Sequence, residues 1–138
     1  MRAWLWRTHR EAGWVPWLVF AFYVVAAKGS NAYIAYPWLD IPTHFCGGAA
    51  IAYFLLAAIT HVQTLLGNIP RAIRHLLAFS MTAVVAVVWE FLEYSSDVLL
   101  GTKMNLGVAD TLSDLFFGLL GATVVVMVAA LFQARSAR

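Results

Sequence analysis

Charge is what this chain of 138 residues has least of: only 12% of it is Asp, Glu, Lys or Arg, against about 25% in ordinary soluble domains. With 62% hydrophobic residues and a mean hydropathy of +0.77, a soluble domain is not expected and the apolar content is expected to face lipid. A single cysteine, Cys46, rules out an internal disulfide and leaves the redox compartment undetermined. The net charge of +2 is small and the basic residues are scattered, so no nucleic-acid partner is expected. There is no Ser-His-Asp order, no phosphate-cradling glycine loop and no CxxC pair. No ten-residue alternation suggests a barrel, and no linker, low-complexity stretch or internal repeat divides the chain.

What is present is a set of four apolar segments, over about residues 14–36, 43–66, 75–94 and 111–132. Each approaches the ~20 residues a helix needs to cross a ~30 Å hydrocarbon layer. Backbone groups in lipid must pair internally, so helices are expected. The expectation is an all-α polytopic membrane protein, one domain of four antiparallel transmembrane helices. The first segment imitates a signal peptide, with Arg2, Arg7 and Arg10 before a short apolar run and VVAA before Lys28; we read it as a span. Six Trp, five Tyr and nine Phe supply interfacial belts, and the six tryptophans read as anchors and packing.

Charge asymmetry sets the orientation. On a four-span chain Arg2, Arg7, Arg10, Arg71, Arg74, Arg135 and Arg138 share one side, and only Lys28 and Lys103 take the other. This positive-inside bias places both termini in the cytoplasm. Six of the seven acids gather at the opposite ends of the spans. Asp40 and His44 open the second helix at i, i+4, Glu90, Glu93 and Asp97 close the third at i, i+3 and i+7, and Asp110 and Asp114 open the fourth. These spacings put each set on one helical face. Against the six acids stand two lysines, a formal −4 if all ionise. Glu90 lies about 15 residues past His75, roughly 22 Å along a helix. That is short of the outer interface, where an ionisable group is expensive and usually functional.

Asp40 and Asp110 also suit helix N-caps, and Asp97 an exposed loop. Glu90 and Glu93 sit at a helix C-terminus, where the macrodipole disfavours anions. The N-termini of the second and fourth helices, Lys28, protonation or a bound cation would compensate them. One imidazole and several carboxylates from facing helices are a donor set for Zn, Mn or Fe. The competing arrangements are a proton-sharing carboxylate network and a Lys28 ion pair. Gly47 and Gly48 follow His44, and Gly118 and Ala122 follow Asp114, in small-xxx-small spacing that lets helices approach closely. His9, His61 and His75 are expected at the cytoplasmic interface, and Cys46 in the core.

The arrangement Asp40-x-x-x-His44, Trp89-Glu90-x-x-Glu93 and Gly107-x-x-Asp110-Thr111-x-x-Asp114, with Gly118 to Ala122 behind it, resembles the YjdF-type bacterial inner-membrane proteins, related in pattern to the broader VanZ-like group. The resemblance covers residues 40–122, and WE-x-x-E followed by DT-x-x-D is its most specific part. It implies a multi-pass protein of the bacterial cytoplasmic membrane with a polar site built from those residues. YjdF-type members are longer, with extra spans, so this chain resembles a short version.

The function expected first is a metal-dependent envelope protein acting on a lipid-linked or peptidoglycan-related substrate. Asp40, His44, Glu90, Glu93 and Asp114 would be ligands, with Asp97 or Asp110 as ligand or general base. The alternative is a non-catalytic accessory subunit of a larger membrane complex, or a homo-oligomer, in which the acids hold helices together or meet a partner. Ion or proton transport ranks third. The sequence alone does not decide whether turnover occurs.

Overall fold

The computed structural model describes residues 3–26, 30 and 32–135. Its elements are α1 (Ala3–Ala12), α2 (Trp14–Val24), the short α3 (Ala32–Ala35), a 3-10 turn over Pro37–Leu39, α4 (Asp40–Leu66), α5 (Arg71–Leu100) and α6 (Val108–Arg135). No strand occurs among the described residues. Lys28, Arg2 and Arg138 lie outside them, so the expected Lys28 ion pair does too.

Three helices are long and apolar enough to cross a membrane: Pro37–Leu66, Arg71–Leu100 and Val108–Arg135. At 1.5 Å per residue each reaches about 42–45 Å, beyond the ~30 Å of hydrocarbon. The first expected span is not among these three. Its helix α2 has 11 residues, about 16 Å of rise, and the rest of 14–36 contains α3 and residues outside the described set.

The helix ends differ from those expected, for identifiable reasons. The third helix does not stop near Tyr94 but runs to Leu100, because nothing in residues 94–100 breaks a helix. It ends where Gly101 takes the left-handed conformation (φ 65°) and its N–H bonds Asp97 O. Glu90 and Glu93 are therefore inside α5, not at its C-terminus. Asp40 stands in the first turn of α4 rather than at its N-cap, which is Leu39 and makes no side-chain capping bond. Gly67 (φ 81°) closes α4, and the Gln63 side chain accepts the Ile69 N–H at 2.9 Å to fasten the loop into α5.

Large apolar side chains point outward, Leu99 for example at 79% exposure, while the buried positions of the long helices are mostly small or polar. They include Gly48, Ala50, Ala52 and Ile59 on α4, Ala78, Thr82, Glu90 and Glu93 on α5, and Asp114, Gly118, Gly121 and Ala122 on α6. This inversion suits a lipid solvent, where association rests on close backbone packing rather than on apolar burial. The most extensive interface joins α4 and α6. A Cβ on Gly48 would overlap the Gly118 carbonyl, and one on Gly121 the Phe45 carbonyl. His44 also neighbours Asp114, so residue numbers rise together along the two helices. The first turn of α5 meets their far ends, Arg74 donating to Thr60 and Arg71 to the Gln133 carbonyl, both at 3.3 Å.

The amphipathic α1 docks on the last part of α4. Thr8 is buried, donates to the Trp4 carbonyl at 2.8 Å and lies 2.9 Å from His61 Nδ1. Glu11 stands 3.2 Å from His61 Nε2 and accepts from Arg7 Nε at 2.9 Å. The Arg7 hydrogen bond holds the Glu11 carboxyl below its ordinary range.

Candidate metal centre

Three helices deliver the polar cluster. In the first turns of α4, Asp40 and His44 project together because they are one turn apart, and His44 Nε2 lies 3.3 Å from Asp40 Oδ1. Across the glycine contact, α6 brings Asp114 Oδ1 to 3.8 Å from the same nitrogen. From α5, Glu90 and Glu93 turn inward at i, i+3. One donor atom from each of His44, Glu90, Glu93 and Asp114 lies within 4.8 Å of all the others. A second group, Asp40, Asp110 and Asp114, meets the same limit and shares Asp114 with the first.

The carboxylates are deeply enclosed: Glu90 is 7% exposed, Glu93 4% and Asp114 2%. Glu93 Oε1 accepts from Trp89 Nε1 at 2.8 Å. The Trp89 ring is itself held edge-on by Tyr23 and Phe20 of α2, at centroid distances of 5.4 and 6.4 Å. Glu90 Oε2 and Asp114 Oδ2 are buried without a hydrogen-bond partner. A buried polar atom left unpaired costs about 1–3 kcal/mol, more when charged. Among the described residues no lysine or arginine pairs with these acids. The donor set itself, one imidazole among carboxylates, fits Mn, Fe or Zn.

Of the remaining candidates, Asp97 and Cys46 separate from this cluster, whereas Asp110 stays in the second group. Asp97 accepts hydrogen bonds from the Thr102 hydroxyl, from Met104 N–H at 2.8 Å and from Asn105 N–H at 2.9 Å. It binds the α5–α6 loop and belongs to neither donor group. Asp110 accepts the Leu106 N–H at 2.8 Å through Oδ2, reaching back from the first turn of α6. Cys46, expected in the core, is exposed. Two residues past His44, it turns about 200° away from that face. A Cβ on Gly47 would meet nothing within 4 Å. Gly121 was missed in the sequence, although its spacing from Gly118 was available as a signal. Also unread was a cavity of about 160 Å³ between α2, α4 and α5, lined by Val19, Phe20, Ile51, Val85 and Ala86, with His44 at its wall.

A protein of Thermotoga maritima described as "Uncharacterized protein" is 34% identical to this chain over 79 residues, which cover 56% of the chain and 40% of that protein's own length. No solved structure matches. The family described as "Predicted membrane protein (DUF2238)", to which the YjdF-type proteins belong, matches residues 2–135. The chain is therefore a member of the DUF2238 family of membrane proteins.

Proposed function

We propose that this protein is a four-span component of the bacterial inner membrane that binds a divalent metal through His44, Glu90, Glu93 and Asp114. In this reading α2 and the segment after it form the first span, α5 runs antiparallel to α4 and α6, both termini are cytoplasmic and the cluster opens outward. The observation that carries the metal is the pair of buried, unpartnered oxygens, Glu90 Oε2 and Asp114 Oδ2, in a group whose donor atoms already lie within 4.8 Å. Metal at the centre would satisfy these oxygens and offset like charges that no described lysine or arginine meets.

The reading extends to an envelope or lipid-linked substrate. A cavity of about 160 Å³ with mostly apolar walls, reaching His44, supports it. Engineered apolar cavities of about that size accept small hydrocarbons. A metal at the cluster would supply Lewis acidity or an activated water. His44, steadied by Asp40, would present its imidazole, and Asp110 stands near enough to handle a proton.

Elemental analysis of detergent-purified protein, prepared without chelator, tests this. The wild type should retain at least about one equivalent of a transition metal, and Glu90→Gln, nearly isosteric, should lose at least one. Metal-free samples of both would move the reading to a hydrogen-bonded acid network in an accessory membrane subunit.

A further inference from the structure

We propose that the centre holds two divalent cations rather than one, bridged by Asp114, with Asp40 and Asp110 completing the second position; the inference rests on the metal reading above. The two donor groups share Asp114 and no other residue. Its Oδ1 faces His44, which leaves Oδ2, buried and unpartnered, as the donor toward a second ion. At 2% exposure this oxygen has no access to bulk water to replace such a partner.

The other donors have oxygens to offer. Asp110 uses Oδ2 for the Leu106 N–H, so Oδ1 is available. Asp40 faces His44 through Oδ1, so Oδ2 is available.

Charge favours two ions over one once ligation has displaced the carboxyl protons. With Asp40, Glu90, Glu93, Asp110 and Asp114 ionised, the two donor groups carry five negative charges. One divalent cation leaves −3 and two leave −1. At reduced dielectric, unscreened like charges a few ångströms apart are costly, so the second ion removes most of the residual repulsion. Two cations sharing a carboxylate form a clamp of the kind that takes an oxyanion across both metals. The ligand class assigned to the site is accordingly a phosphate or phosphate ester.

Manganese(II) titration of the chelator-treated, detergent-purified full chain, followed by metal analysis and electron paramagnetic resonance, tests the proposal. The wild type should take up about two equivalents with the spectrum of an exchange-coupled pair, and inorganic phosphate should perturb that spectrum. Asp110→Asn keeps the acceptor for the Leu106 N–H, and should fall to about one equivalent with the signal of an isolated ion. Asp40→Asn should do the same and decides the matter if Asp110→Asn fails to fold. Saturation of the wild type at one equivalent would overturn the second site and leave the metal reading intact. Two equivalents without coupling, or unaffected by either substitution, would also overturn it. No binding at all would remove both.

Discussion

Asp97 and Glu90 show how differently a carboxylate is used along a single helix. Glu90 is enclosed with an unpaired oxygen, whereas both Asp97 oxygens hold the loop 101–107. Asp97→Ala should therefore free the Met104 and Asn105 amides. Losing charge-assisted bonds of about 1.5–3 kcal/mol corresponds to roughly ten- to hundred-fold faster amide exchange there, and metal content should not change. Depletion of metal in that variant would place Asp97 in the centre after all. The i, i+3, i+7 spacing put Glu90, Glu93 and Asp97 on one helical face. It reports the helical face but not the depth along it, and it cannot anticipate a loop that folds back to donate three hydrogen bonds. The convergence of His44, Glu90, Glu93 and Asp114 was legible for the opposite reason, since each lies on a long helix whose face follows from spacing. The pairing of individual oxygens was not, because it depends on how the helices turn against one another.

Between elements, the contact of α4 with α6 is made by backbone. Gly48→Leu and Gly121→Leu would drive side chains into the Gly118 and Phe45 carbonyls, a more severe change than the overpacking that costs about 1–3 kcal/mol in a packed core. Folded yield in detergent should collapse for both. Gly47→Leu, which meets open space, should stay within about 0.5 kcal/mol of wild type, as read from thermal unfolding of the solubilised protein. Equal loss in all three would mean that the helices pack by another face. Small-xxx-small spacing announced a close approach, yet Gly47 and Gly48 are neighbours in sequence, and only the rotation of α4 against α6 distinguishes them. The end of α5 was misplaced because glycine conformation, at Gly101, ends this helix, and polarity does not; the end of α4 at Leu66, closed by Gly67, fell where the apolar run stopped.

For the whole molecule, three long helices were legible as apolar runs, whereas the first span depends on a segment that α2 fills only partly. The seven arginines argue for cytoplasmic termini. Fusions of a fluorescent protein to either end should fluoresce, and a periplasm-dependent phosphatase at the same ends should stay inactive. An active phosphatase at the C-terminus alone would mean an odd number of crossings. If the proposed centre holds metal, the contact of Gly48 with Gly118, one turn below His44 and Asp114, has a bearing on ion choice. Two backbones touching without side chains between them act as a fixed jaw, so His44 and Asp114 cannot separate to admit a larger ion. Adjustment falls to α5, which meets that pair through side chains such as Ala86. In the metal reading the preferred ionic radius would be set by how far Glu90 and Glu93 can swing, and substitutions on α5 beneath them should shift selectivity between metals more readily than any change on α4 or α6.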